Sequence, residues 1–566
     1  MTSVTAGALI VASGCSNPLI PLPEDRGERV PIERLRTVDR FDLSKYVVPV
    51  PPEAQRSEPA EIQKPKSRFE GMESLELSLE KVRAATLENN MDLKVALVDP
   101  LIADESLRRE EAKFEAVFRP GVRYREDDSP TLNTTSSNQQ NSLDFSAGVD
   151  IPLRSGGRVS VDFNEGMRET NNPFVTLNSS YTSGLAFSVS QPLLRNAGRR
   201  ANTHSIRIAA NDQQIAESQT KLEIIRQVAA ADRSYWRLYA ALRELVVRQQ
   251  QYELADAQLQ QANRRVRAGD AAEVEVTRAQ AGVAERLEAI IISENNILNQ
   301  QRELKRIINV PGLEMETPVK LLTETQPSPV PYEFDPVSLA DQAVANRMEM
   351  LELELRIASD ISTIEFEKNQ ALPLFTLDYV YNIQGLGATF NDSHGSLWRN
   401  SFEGWSLGLS GEIPLGNEAA KARVQQAILI RLQRLSTKES RRLAIRQEAL
   451  TAIDAVEAAW QRILAARQSA IAAARTYEAE KRQNEVGART STDVLDAATR
   501  LADAQSSEIR ALSDYQIALV DLSFATGTML GAAKINWSPW DPRHTPVPLE
   551  TPEEQKAREA KEASER

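Results

Sequence analysis

No stretch of this chain offers the roughly twenty consecutive apolar residues an α-helix needs to cross a bilayer. Passage through lipid is then open only to a closed β-barrel, the one other fold that pairs every backbone N–H and C=O internally. Aromatic residues make up 5% of the sequence, whereas Ala, Gln, Glu and Arg abound. That mixture favours long helices packed through small side chains over a thick globular core. The net charge of −13 is spread along the chain, without the basic stripe that nucleic-acid binding requires. The three histidines, His204, His394 and His544, stand far apart with no ligand spacing around them. A glycine-rich phosphate loop and a nucleophile elbow are both missing, so the sequence argues against an enzyme, a metal site and a cofactor.

What the sequence does have is alternation. Leu143, Phe145, Ala147, Val149 and Ile151 are interleaved with Asp144, Ser146, Gly148 and Asp150. Val159, Val161 and Phe163 repeat the pattern, as do Leu185, Phe187 and Val189. Further on, Leu377, Tyr379, Tyr381 and Ile383 form one such run, and Trp405, Leu407, Leu409 and Ile413 another. Period-two alternation predicts strands with one apolar and one polar face, within about 117–191 and 374–413. A soluble sandwich would carry the same pattern. The connections separate the two: residues 126–142, 165–180 and 385–403 read as long polar loops, while Arg154-Ser155-Gly156-Gly157 reads as a tight turn. Long loops on one side and short turns on the other are how outer-membrane barrels are built, with Asp144, Asp150, Asp162, Asp378 and Glu412 facing a wet lumen. Four strands in the first half, beginning near Val122, and two in the second cannot easily close a pore alone. The barrel should be shared between chains.

The helical regions are extreme. Between Ala197 and Ala268 there is no Pro and only one Gly, Gly198. At ~1.5 Å per residue that is about 108 Å of helix, and Glu418 to Val486 gives ~100 Å. Helices of this length need neighbouring helices in a coiled-coil-like array. Shorter helices are expected at 273–309 and 491–525. The order of elements also repeats. A helical segment opening at Leu79 closes at Phe118-Arg119-Pro120, and one opening at Leu339 closes at Ala371-Leu372-Pro373. Strands and a long helical hairpin follow each. The expected plan is a Pro-rich lead-in (16–70), a first repeat (71–310, hairpin 197–309), a linker (311–336), a second repeat (337–536, hairpin 418–529) and a charged tail (537–566).

Each long helix ends in the same signature. Gly269, Glu275, Val276 and Ala279 recur at identical offsets as Gly487, Asp493, Val494 and Ala497. A helix–turn–helix explains the spacing: Gly supplies a left-handed C-cap, and Ser491 or Thr492 caps the next helix. The acid in the first turn then suits the positive helix end. The stretch Val486-Gly487-Ala488-Arg489-Thr490 through Asp493-Val494-Leu495-Asp496-Ala497 closely resembles the signature of the TolC-like outer-membrane efflux family. So do Ser190-Gln191-Pro192-Leu193-Leu194 and Glu412-Ile413-Pro414-Leu415, and the resemblance runs from about 75 to 530.

The resemblance implies an α+β membrane protein. Its homotrimer would form an outer-membrane β-barrel continued by a long periplasmic α-helical barrel, with internal duplication. It also implies an exit duct of a tripartite efflux or type I secretion system. In such systems a periplasmic adaptor (membrane fusion protein) links the channel to an inner-membrane pump. By the same resemblance, Val266, Gly269, Val486 and Gly487 form the tip turns for adaptor docking. Asp493 and Asp496 would form an acidic entrance ring, with Glu275 in the matching position of the first copy and Arg489 in the gate. Asn484 stands where the family often has Tyr, and six strands exceed the four per chain of its best-known members. The sole cysteine, Cys15, follows a short apolar run ending in Ala12-Ser13-Gly14. That resembles a bacterial lipoprotein signal (1–15), which implies a covalent lipid on Cys15 in the outer membrane. The competing reading is a lipid-anchored periplasmic adaptor or coiled-coil scaffold without a pore, whose β-modules would be soluble.

Overall fold

A computed structural model describes residues 67–130, 137–172, 174–269, 272–486 and 488–536. Cys15, Gly487, nearly all of the lead-in and the whole tail lie outside the described residues. Everything below belongs to the unit formed by residues 64–566.

The first half opens with β1 (Glu73–Leu77) and the helices α1 (Leu79–Asn89), α2 (Met91–Ala96) and α3 (Asp99–Glu111). Four strands follow: β2 (Val117–Asp128), β3 (Gln139–Pro152), β4 (Arg158–Thr170) and β5 (Ser180–Pro192). A short turn of helix, α4 (Arg199–Asn202), precedes the long α5 (His204–Ala268), and α6 (Glu273–Ile308) returns beside it. The second half runs β6 (Val319–Thr323), α7 (Pro336–Asn346), α8 (Met348–Gln370), β7 (Leu374–Gly387), α9 (Phe390–Trp398) and β8 (Phe402–Glu412). It finishes with α10 (Glu418–Glu485), α11 (Ser491–Ala525) and α12 (Met529–Ala532). Gly198, with a positive φ of 91°, delays the helical run expected from Ala197 to Arg199, and non-helical backbone at Thr203 (φ −98°, ψ 16°) then separates that short turn from the long helix, which starts at His204.

Strands β2-β3-β4-β5-β7-β8 form one antiparallel sheet in that order. Its register keeps the alternation intact across both halves of the chain. Phe118, Val149, Val161, Phe187, Tyr381 and Trp405 are successive cross-strand partners, an apolar row that crosses all six strands. One residue along, Arg119, Gly148, Asp162, Ala186, Asn382 and Gly404 make the matching row on the other face. Register is held this firmly because a one-residue slip would exchange the two faces.

Among the strands and their connections, the structure corrects the sequence reading in four places. Pro120 does not close a helix; it lies inside β2, where its missing N–H is tolerated because β2 is an edge strand. The strands also extend well into the segments read as loops, to Asp128 and Thr170, since their polar ends still have partners to pair with. The stretch 385–403 contains α9, whose N-cap Thr389 accepts a hydrogen bond from the Asp392 N–H. Finally, the linker 311–336 holds β6, which pairs in parallel with β1. Neither strand is long enough to show periodicity by itself.

The helices pack as two hairpins, α5 with α6 and α10 with α11, and α11 also lies against α5. The main core surrounds Tyr235, Leu238, Ile297 and Leu304 of the first hairpin, and a second surrounds Val456, Ala459, Ile463 and Tyr515 of the other. The small sheet clamps the first: the Tyr235 hydroxyl donates to the Leu77 carbonyl at 3.2 Å and accepts from the Thr325 N–H at 2.9 Å. Among the described residues no helix is long and apolar enough to cross a membrane.

Candidate functional site: the sheet faces and the hairpin turns

The polar face of the sheet carries Asp144, Asp150, Asp162 and Asp378, as alternation requires. Their charge is partly met within the chain. Arg119 on β2 reaches Asp150 at 2.9 Å and Asp162 at 3.6 Å, and Ser190 donates to Asp378 at 2.6 Å. Glu412 is paired with Arg195 at 3.3 Å. A broad concavity on this side is lined by Arg123, Asp144, Asn164, Thr182 and Gln384. The arrangement is a polar, hydrated surface with both charge signs on it.

The opposite face is apolar and largely uncovered, with Phe145, Phe187, Tyr379, Trp405, Leu407 and Leu409 exposed. Polar residues enter it near its ends, such as Asn141, Glu169 and Glu403, and further in at Glu165 and Ser183, over which α9 lies. Ser183 shares a hydrogen bond with Ser393, and His394 Nδ1 sits 3.2 Å from the Ser183 hydroxyl and 3.5 Å from Glu165. Gly385 and Gly387 make that contact possible, because a Cβ at either would run into the α9 backbone. No periodic signal marks this helix in the sequence; its nine residues are too few, and about half of them are polar. Of the other histidines, His204 stacks on Phe366 and bonds Ser362 at 3.0 Å, and His544 lies outside the described residues.

At the far ends of the helical hairpins stand the two turns. Gly269 caps α5 in the left-handed region (φ 80°, ψ 10°), its N–H reaching the carbonyls of Arg265 and Val266. Val266 is half-buried, and Glu275, in the first turn of α6, donates its N–H to the Ala272 carbonyl. In the second turn Val486 is 80% exposed, and the Ala488 N–H closes back on the Gln483 carbonyl at 2.9 Å. A bond of that span is the outer half of a Schellman cap.

The N-terminus of α11 is closed by Thr490, not by Ser491 or Thr492 as the sequence suggested. Thr490 Oγ1 accepts from the Asp493 N–H at 3.3 Å, while the Asp493 carboxylate accepts from the Thr490 N–H at 3.0 Å and hydroxyl at 2.8 Å. This is a reciprocal capping box. The Thr490 backbone and side-chain donors, with Arg489 nearby, hold the Asp493 carboxyl below the usual range. Asp496 is exposed, three residues on. Arg489 folds back on its own helix, 3.3 Å from Glu480 and 3.1 Å from the Gln483 side chain. Asn484 donates to the Arg489 carbonyl at 2.8 Å, so in this conformation both residues close the turn within the chain.

The two turns belong to one end of the molecule. Arg286 of α6 donates to Thr499 of α11 at 2.7 Å, and a Cβ at Gly282 would come 3.3 Å from the Leu495 side chain.

Residues 339–528 match the family model described as outer membrane efflux protein. The chain is 26% identical over 342 residues to outer membrane protein TolC of Vibrio cholerae serotype O1, covering 58% of this chain and 74% of that protein. Among solved structures, the outer-membrane channel OprN superposes with a TM-score of 0.60 at 15% identity, covering 80% of this chain and 90% of that one. The Campylobacter jejuni CmeC outer membrane channel gives 0.61 at 15% identity, over 80% and 85%. The second half of the chain is thus similar to the outer membrane efflux protein family, and the chain has the fold of the solved outer-membrane channels.

Proposed function

We propose that this chain is one of three identical protomers of an export duct, with its sheet in the wall of an outer-membrane barrel and its helices in a periplasmic tunnel. One observation carries the reading: a six-stranded sheet with an apolar row crossing all six strands and two edges unpaired among the described residues continues directly into helices of 65 and 68 residues. In lipid an open edge is forbidden, so such a sheet is complete only when copies share a barrel. The long helix α10 supports the same conclusion. Leu429, Leu432 and Leu443 on it are more than half exposed, an apolar flank that no other element among the described residues covers. The repeated order of helices, strands and hairpin in 71–310 and 337–536 is that of a duplicated unit, joined by the linker.

In this reading the turns at Val266–Gly269 and Val486–Gly487 dock a periplasmic adaptor, which couples the duct to an inner-membrane pump. Asp493 and Asp496 of three copies form the entrance ring, with Glu275 and Arg489 beside it, and the lipid on Cys15 adds an anchor. A pore-free adaptor or scaffold is disfavoured by the exposed apolar sheet face, which water alone would not tolerate.

The test is reconstitution of the purified full chain in planar bilayers. A heat-modifiable trimer with discrete single-channel steps is expected, and a water-soluble species without conductance would overturn the reading. The ring is tested by Asp496→Asn, which leaves the Thr490–Asp493 cap intact. Weaker block by divalent cations is expected, and unchanged block would remove Asp496 from the entrance.

A further inference from the structure

We infer that the first hairpin, β2–β3, is part of the lipid-spanning wall, and that β8 of one copy pairs with β2 of the next to close an eighteen-stranded barrel. The inference rests on the proposed trimeric duct and fixes how its wall is joined.

Four observations carry it. First, β2 and β8 are the two edges of the sheet and have nearly equal lengths, 12 and 11 residues. Second, the six strands alternate in direction, so β8 and a neighbouring copy's β2 meet antiparallel, continuing the ladder except at Pro120, which has no N–H to donate. Third, the apolar row does not stop at the first hairpin. Phe118, Val122 and Tyr124 on β2 lie on the same face as Trp405, Leu407 and Leu409 on β8, and all six are more than 60% exposed. Side chains of this kind on a soluble edge invite aggregation, and soluble proteins protect such edges with charge, bulges or a covering loop. On a lipid-facing wall they are what is required. Fourth, the polar faces of the two edges fit by size. β8 presents Gly404, Ser406, Gly408 and Ser410, while β2 presents Arg119, Arg123 and Arg125. Small residues on one edge leave room for the long cationic side chains of the other.

Three copies of six strands give eighteen, within the size range whose interior is an aqueous channel and not a packed core. Because successive side chains point to opposite faces, the seam register can shift only by even numbers if apolar residues are to meet apolar ones.

The experiment is a cysteine scan in the full chain, reconstituted in lipid. Leu407→Cys is combined in turn with Phe118→Cys, Val122→Cys and Tyr124→Cys on the same face, and with Arg119→Cys and Arg123→Cys on the other. Single variants control for Cys15. Covalent dimers and trimers are expected from at least one same-face pair and from neither opposite-face pair. Amide exchange supplies an independent readout that does not depend on disulfide geometry. The N–H groups of β2 and β8 should be protected as strongly as those of β4. A conducting trimer with no same-face cross-link and rapid exchange along β2 would overturn the eighteen-stranded wall while leaving the duct standing. Absence of both trimer and conductance would instead overturn the duct itself, and this inference with it.

Discussion

The guanidinium of Arg286 donates to the hydroxyl of Thr499 at 2.7 Å, fastening the returning helix of the first hairpin to that of the second close to their turns. Arg286 is buried, so the bond is made where water does not compete freely. Replacing Arg286 by Ala leaves Thr499 without this donor and should cost about 1–2 kcal/mol locally. Amide exchange over 491–500 is expected to rise about tenfold, while the sheet is unaffected. Unchanged exchange would mean that the two turns are held together by other contacts.

Gly269 tests the turn itself. A Cβ there meets nothing within 4 Å, so only the positive φ opposes substitution. Gly269→Ala should therefore destabilise the cap by about 1 kcal/mol and raise exchange of the amides around 265–269 about fivefold. Gly269→Val should cost more, because a β-branched side chain tolerates φ 80° less well. Equal behaviour of the two variants would show that the backbone relaxes out of the left-handed region.

Glu349 links acid sensitivity to the second half of the chain. Burial opposes its ionisation, but the Arg347 and Arg441 guanidiniums overcome that and hold its carboxyl down at about 2. Arg347 also pairs with Glu448, and Arg441 bridges Glu349 and Glu448 at 3.0 and 3.1 Å. With the folded pKa below the unfolded one, the stabilisation is complete above about pH 4.5 and is lost as pH falls through 2. Its size is on the order of 3 kcal/mol. In Glu349→Gln the thermal midpoint should drop at pH 7 and its fall between pH 4.5 and 2 should be shallower. A parallel acid profile in the variant would assign the sensitivity to other carboxylates.

The Arg83–Asp232 pair makes the complementary point. Its two bonds, 2.9 and 2.7 Å, tie α1 to α5, and Asp232 is fully buried. Burial pushes the Asp232 carboxyl up, and Arg83 opposes the shift. Asp232→Ala strands the cation and should lower stability by about 3–5 kcal/mol, whereas the apolar double variant Arg83→Met/Asp232→Leu should recover most of it. Thermal unfolding of the purified protein decides. A double variant no better than the single would show that the charges themselves are needed to seat α1.

Much of this was legible in the sequence. The strands around Val149, Phe187 and Tyr381 could be read because alternation is a local signal that each strand carries alone. The long helices could be read because 65 and 68 residues without proline leave little else for the chain to do. The Gly269 cap followed from a glycine placed between two helical runs. The helix α9 was not legible, since its packing depends on Gly385 and Gly387 of another element and on Glu165 and Ser183, which lie more than two hundred residues away in sequence. Nor was the β1–β6 pair, whose strands are 246 positions apart and five residues long. The cap at Thr490 was missed by one residue, as helix ends commonly are.

By itself, then, the sequence determined which segments are strand or rod and which strand face shuns water, because period and proline content act within a few residues of chain. Tertiary structure alone decided that β5 joins β7, bringing both halves into one sheet whose outer edges, β2 and β8, have no partner strand among the described residues. It also decided that Arg489 turns back to Glu480. Pairing between distant segments depends on which backbone groups remain unsatisfied once the chain has folded, and no local pattern records that.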